Sequence, residues 1–151
     1  MAENVKVVVT NRRARHEYEL LDKVEAGIEL QGTEVKSLRA GKVNLAEAFC
    51  AVDSDGLQLY NCHIAPYQHG GHANHNPTRS RRLLLHKNEI EKFKKGTEQK
   101  GLTIVPLRIY FRDGWAKVEI ALARGKKLHD KRATEKERDW QRDKQRILKN
   151  N

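Results

Sequence analysis

Val105-Pro106-Leu107-Arg108-Ile109-Tyr110-Phe111-Arg112-Asp113-Gly114-Trp115-Ala116-Lys117-Val118-Glu119-Ile120-Ala121-Leu122 is the stretch that sets the fold. Asp113-Gly114 is a two-residue turn signal between runs of alternating hydrophobicity. Pairing across it sets Phe111 opposite Ala116, Ile109 opposite Val118, Leu107 opposite Ile120 and Val105 opposite Leu122. Every pair is apolar on both sides, which fixes a register with one buried face. Pro106 has no N–H for a ladder, so its strand has an edge or a bulge there.

Upstream the chain reads as more antiparallel strand with short helices. From Tyr18, even positions Leu20, Val24, Ala26, Ile28 and Leu30 are apolar, with Asp22 the exception, so period two predicts a long half-buried strand bent at Gly27. Gly32-Thr33 offers an N-cap to a short helix carrying Val35 and Leu38, ended by Gly41. A hairpin follows, residues 48–52 and 57–64 around Asp53-Ser54-Asp55-Gly56. Residues 68–78 read as a mobile polar loop rich in His, Gly and Asn, and residues 82–86 as a short strand. Asn88 with Glu91 three later predicts a capped helix bearing Ile90 and Phe93 and ended by Gly96. The pattern is mainly β with short helices. It predicts a small antiparallel β-barrel of the oligonucleotide-binding (OB-like) type with flanking helices.

The end of the chain is different. Residues 125–151 hold ten Lys/Arg against five Asp/Glu and only Leu128, Ala133, Trp140, Ile147 and Leu148 as apolar groups. That is too little apolar surface to offset the entropy of ordering, so a disordered or conditionally helical tail is expected beyond a folded domain at 1–124. In a helix, Ala133, Trp140 and Ile147 share one face. The acid-first pairs Glu135/Arg138, Asp139/Arg142 and Asp143/Arg146 add only about 0.2–0.5 kcal/mol each.

The tail's surplus of +5 leaves +5 of the total +10 on residues 1–124. A charge of this sign on both parts points to nucleic acid or an anionic membrane. No run of 18 apolar residues offers a membrane span, and Met1-Ala2-Glu3-Asn4-Val5-Lys6 lacks the plan of a secretion signal. Cys50 and Cys62 are therefore read as reduced thiols of a cytoplasmic protein. Basic runs lie at Asn11-Arg12-Arg13-Ala14-Arg15-His16, at Arg79-Ser80-Arg81-Arg82 and in the tail. Only Tyr60, Tyr110 and Trp115 among the strand residues are placed to face outward, a thin supply for a base-stacking sheet.

Chemistry is harder to find. Cys62, His63, His69, His72 and His75 are possible zinc ligands. The last three, however, lie in a loop without the element that would aim them or an acid that would orient them. Asp53 and Asp55 are turn residues. Neither Cys has a cation and a base beside it. No metal, no cofactor and no catalytic residue is assigned, and the expected class is not an enzyme.

Several long motifs, in order, carry a resemblance. They are residues 11–18, Glu25-Ala26-Gly27-Ile28, Gly32-Thr33-Glu34-Val35-Lys36-Ser37-Leu38-Arg39-Ala40-Gly41-Lys42, Leu83-Leu84-Leu85-His86 and residues 125–132. In these the chain resembles the SsrA-binding protein (SmpB) family, partners of transfer-messenger RNA (tmRNA) in bacterial trans-translation, over about residues 11–150. The resemblance implies a protein that binds the tRNA-like domain of tmRNA. With elongation factor Tu it would bring the RNA to stalled ribosomes, as a monomer in the complex and with no membrane partner. It implies RNA contacts at Glu25, Leu84 and His86, where some members have Asn. Arg12, Arg13, Arg15, Lys36, Arg39 and Lys87 are assigned to the same surface. In the tail, Gly125, Lys126, Lys127, His129, Asp130, Lys131 and Arg132, with Trp140 and Ile147, would act in the decoding region and mRNA channel beside small-subunit RNA. Two other readings share parts of the pattern: a general or ribosomal RNA-binding protein, and a zinc-dependent nuclease built on the histidine loop.

Overall fold

The computed structural model describes residues 4–126 and Arg142; the tail positions Lys127, His129, Asp130, Lys131, Arg132, Trp140 and Ile147 lie outside the described residues. Strand β1 (Val5–Thr10) leads into helix α1 (Arg12–Glu17), β2 (Tyr18–Ile28) and α2 (Gly32–Arg39). Then come β3 (Val43–Asn44), β4 (Phe49–Asp53), β5 (Gly56–Tyr60), β6 (His63–Ile64) and β7 (Arg81–Leu84). Helix α3 (Lys87–Lys100), β8 (Thr103–Arg112) and β9 (Trp115–Gly125) complete it. The main sheet runs β1-β8-β4-β5-β7-β2-β9, and β9 pairs back onto β8, so six strands close a ring with β1 added on β8. Its inside is filled by residues such as Ala26, Leu57, Leu59, Phe93, Ile109 and Ile120. Fully burying a large aliphatic or aromatic side chain of this kind contributes about 1.5–3 kcal/mol. No helix among the described residues is long and apolar enough to cross a membrane.

The β8–β9 hairpin forms around Asp113 (φ 50°) and Gly114 (φ 85°), both left-handed as a tight two-residue turn requires. Phe111 faces Ala116 and Ile109 faces Val118, as the sequence predicts. Beyond them the register moves by one. Pro106 meets Ile120, Val105 meets Ala121 and Ile104 meets Leu122, so the expected Leu107–Ile120 and Val105–Leu122 pairs do not form. The cause is the bulge anticipated at Pro106. It turns Leu107 outward into a second apolar cluster with Ala14, Val105, Ala121 and Ala123. Here β8 also changes partner, from β4 (Cys50 opposite Ile104) to β1 (Thr10 opposite Arg108). Asn11 ties the change down, its N–H donating to the Leu107 carbonyl at 2.7 Å and its side-chain amide to that of Pro106 at 2.9 Å.

A similar slip lies in β2. Leu20 faces Ala123 but Lys23 faces Ala121, one residue too many, so the irregularity sits there rather than at Gly27. Leu20 thus packs on the outer cluster while Val24, Ala26 and Ile28 face the interior, which explains the misfit of Asp22 in the alternation. Gly27 lies in regular pairing with Lys117 and Leu84, and a Cβ there would stand 3.2 Å from the Leu84 Cβ.

Other boundaries move too. Helix α2 is capped from Gln31, whose N–H donates to Glu34 at 2.8 Å, rather than from Gly32-Thr33. Helix α3 is capped from His86, whose N–H donates to Glu89, rather than from Asn88. It runs through Gly96, because a bare backbone lets it lie on Leu122, and ends at left-handed Gly101. The expected strand at 57–64 breaks at Asn61 (φ 57°), which sends β6 to pair with β3. Of the first basic run, Arg12 to His16 lie in α1, which has Asn11 at its N-cap, is anchored by buried Ala14 and follows β1. The histidine loop, expected to be polar and mobile, is tethered by hydrogen bonds at Asn74 and His75. Asn74 clamps both backbone groups of Tyr67, at 2.9 and 2.7 Å. His75 is buried with Nε2 2.9 Å from the Ile64 carbonyl and Nδ1 2.8 Å from the Thr33 hydroxyl. A carbonyl only accepts, so Nε2 carries a hydrogen, and in the neutral ring Nδ1 then accepts from Thr33.

Candidate nucleic-acid interface

Strand alternation that sends Val118 and Ile120 inward sends Lys117 and Glu119 outward, and on β8 it does the same for Arg108, Tyr110 and Arg112. With Glu25 opposite Glu119 and Gly27 opposite Lys117, these residues form one outer strip over β2, β9 and β8. The Glu25 carboxylate accepts from Arg112 Nε at 3.2 and 3.1 Å and faces its Nη2 at 3.1 Å. Arg108 reaches Glu119 at 3.5 Å. The two guanidinium groups stand 4.6 and 5.7 Å from the centre of the Tyr110 ring. Tyr110 does point outward, yet it is only 1% exposed because this pair roofs it. Burial, then its hydrogen bond with Glu25, raises the phenol pKa above the ordinary value. Trp115 is 74% exposed, and Tyr60 stacks on Phe49 at 5.3 Å.

Beside the strip, α1 lies over the β8 bulge. Between them is a cleft of about 550 Å³ lined by Asn11, Arg12, Arg15, Lys23, Leu107, Arg108 and Glu119 among others. Four cations against one carboxylate give the cleft a net positive charge, the sign that phosphates favour. Arg13 turns away to Glu47 at 3.8 Å. Gly125 ends β9, and Lys126 bonds the carbonyls of Glu17 and Arg15 at 2.9 and 2.8 Å, so both sit on the edge of the folded part.

The remaining expected positions scatter. Leu84, 49% exposed, pairs with Gly27 beside Glu25 and extends the strip. His86 and Lys87 are exposed where α3 begins. Lys36 and Arg39 on α2 lie apart, over the rings of Tyr67 (5.2 Å) and Phe111 (4.6 Å). The structure therefore joins Arg12 with Arg15 and Glu25 with Leu84, and leaves α2 elsewhere. Lys23, Arg108 and Arg112 were missed by the sequence reading, which named Tyr110 only as an outward-facing aromatic. The signal for Arg108 and Arg112 was the outward half of the alternation whose inward half set the hairpin, and for Lys23 the polar half of the β2 alternation.

The run Arg79-Ser80-Arg81-Arg82 is not a phosphate surface as a whole. Arg81 is 0% exposed, its Nε on Glu34, Nη1 on the Cys62 carbonyl at 2.7 Å and Nη2 on the Pro77 carbonyl at 3.0 Å. Arg79 Nε donates to both Glu34 oxygens at 3.2 Å. Burial pushes the Glu34 pKa up. The hydrogen bonds from Arg79, the Gln31 N–H and Arg81, with the charge of Arg81, outweigh it and hold the carboxyl below its usual value. Thr33 bonds His75 and the Ser37 hydroxyl donates to the Ala65 carbonyl at 2.7 Å. Much of the 32–42 motif therefore fastens α2 to the loops behind it. Among the described residues, no three of His, Cys, Asp and Glu converge as metal ligands. Both thiols are buried; desolvation pushes Cys62 up to about 11 and Cys50 higher still.

Comparison with known proteins adds the following. The family model of SmpB protein matches residues 8–150. An SsrA-binding protein of Trichodesmium erythraeum is 55% identical over 148 residues, 97% of this chain and 95% of the relative. One of Pelotomaculum thermopropionicum is 53% identical over 145 residues, 96% of this chain and 95% of the relative. A chain of the solved structure described as "tmRNA-SmpB: a journey to the center of the bacterial ribosome" is similar with a TM-score of 0.66. It is 56% identical, with 80% of this chain and 85% of that chain covered.

Proposed function

The chain belongs to the SmpB family, and from that premise we propose that it binds the tRNA-like domain of tmRNA and delivers it to stalled ribosomes for trans-translation. The observation that carries this is the cationic cleft of Arg12, Arg15, Lys23 and Arg108, continuous through Arg108 with the Glu25–Arg112 strip. It lies on a fold shared at 56% identity with a chain of a tmRNA-SmpB structure on the ribosome. Gly125, Lys126, Lys127, His129, Asp130, Lys131 and Arg132, with Trp140 and Ile147, act in the decoding region and the mRNA channel. The protein works as a cytoplasmic RNA-binding adaptor without catalysis, as one copy per complex, and meets elongation factor Tu through the shared RNA.

The test has two arms. Full-length protein should bind a transcript of the tRNA-like domain more tightly than an unrelated RNA of equal length. If about five phosphates are engaged, log affinity falls with log salt at a slope of about −3.5 to −4.5. Replacing Asp130, Lys131 and Arg132 together with Ala should leave that affinity nearly intact and abolish peptide tagging in a reconstituted translation reaction. Equal affinity for the two RNAs, or tagging that survives the triple substitution, would defeat the proposal.

A further inference from the structure

We propose that Glu25 is a positioning residue that touches no RNA: it holds the Arg112 guanidinium, backed by Tyr110, against an RNA phosphate. This rests on the RNA-binding reading above and concerns which atoms do the gripping. A bare carboxylate in a phosphate-binding strip repels its ligand, so the presence of Glu25 there requires a reason. Its geometry supplies one. Glu25 lies on β2 and Arg112 on β8, strands separated by β9. At a strand spacing of about 4.8 Å, the backbones are some 10 Å apart, so both side chains must extend over β9 to meet. On β9 between them stand the outward-facing Glu119, opposite both Glu25 and Arg108, and Lys117, opposite Tyr110.

The pair that results is two-pronged, through Nε and Nη2, a form that fixes the plane of the guanidinium as well as its position. Tyr110 fixes it from below, and Arg108, held by Glu119, packs on the same ring. The Arg112 side chain keeps 26% of its surface in solvent and Glu25 33%, so a large ligand can meet the pair, and the choice between them rests on charge, since a phosphate attracts the guanidinium and repels the carboxylate. An arginine already confined loses less freedom on binding, which is the advantage of building it in advance. Were Glu25 instead to accept a bond from a base or a 2′-hydroxyl, it would have to share oxygens already engaged by Arg112.

The experiment uses full-length protein and the tRNA-like-domain transcript, with Glu25→Gln, Arg112→Ala and the double variant, each measured across a salt series with thermal midpoints as controls. Arg112→Ala should weaken binding by roughly ten- to a hundredfold, as expected for a lost charge-assisted contact. It should also reduce the salt slope by about 0.7–0.9, one phosphate. Glu25→Gln should weaken binding and shift the slope in the same direction. Added to Arg112→Ala, it should change affinity by less than twofold. Effects that multiply in the double variant mean a direct Glu25 contact and overturn the proposal, as does Glu25→Gln binding that is unchanged or tighter. If Arg112→Ala lowers the thermal midpoint, Arg112→Lys replaces it, since lysine keeps the charge without the fork. Glu25→Gln should then again be without effect. Wild-type protein that fails to prefer the transcript would instead defeat the functional reading itself, a separate result.

Discussion

Replacing Glu34 with Gln tests the account of the buried charges most severely. The substitution keeps size and removes one charge, leaving the fully buried Arg81 guanidinium without a counter-ion. Breaking a buried pair in this way costs about 3–5 kcal/mol. The lower part of that range applies here, because Arg81 retains the carbonyls of Cys62 and Pro77 and the half-exposed Arg79 can turn to water. For a folded body of this size, about 3–4 kcal/mol corresponds to a fall of roughly 10–20 °C in thermal midpoint, followed by circular dichroism. The acid limb gives a second readout. The folded-state pKa of Glu34 lies below its ordinary 4.5, so its stabilisation is fully present above that value and fades as pH falls through the folded pKa. The gap between wild type and Glu34→Gln should be constant at neutral pH and shrink below about pH 4.5. RNA affinity measured well below the midpoint should be unchanged. A midpoint within about 2 °C of wild type, or lost RNA binding without lost stability, would refute a structural role for the network.

Two further outcomes are expected. Arg12→Ala with Arg15→Ala should lower the salt slope of RNA binding by about 1.4–1.8, two phosphates, whereas Arg13→Ala, which breaks only an exposed pair with Glu47, should alter it little. A native thiol titration near pH 7 should find both cysteines silent on the minute timescale, since burial disfavours both thiolates, and find two reactive groups once the chain is unfolded in guanidinium.

How legible these features were depended on how local their causes are. The hairpin turn, the inward face of β9, that of β8 at Ile109 and Phe111 and an irregularity at Pro106 were readable, because turn chemistry and period-two burial act over a few residues. The direction in which that bulge would move the register was not, since it depends on Asn11, far away in sequence, holding the carbonyls of Pro106 and Leu107. The helix stops illustrate the same limit. Gly96 looked like a terminator, but its meaning was set by Leu122 on another element.

The site divides along similar lines. Arg12, Arg15, Glu25 and Leu84 were picked out from the chain, by charge or by family motif. The sorting of arginines into solvent-facing and internally paired ones was invisible: Arg79 and Arg81 read as surface charge until Glu34, more than forty residues away, was seen between them. Likewise Arg112 gained its place only through Glu25, at a sequence separation of 87.

The amino-acid sequence by itself determined that this is a β-rich basic protein with a charged tail, and which family's motifs it carries. Composition and short-range periodicity suffice for the charge and the β pattern, because they fix net charge and which face of a strand leaves water, while the family rests on the motifs themselves. Only the tertiary structure decided the closure of the strands into a ring, the one-residue slips in β2 and β8, and which cations are spent inside on Glu34. Those outcomes are set by pairs of groups distant in the chain, whose meeting depends on every element between them being in place.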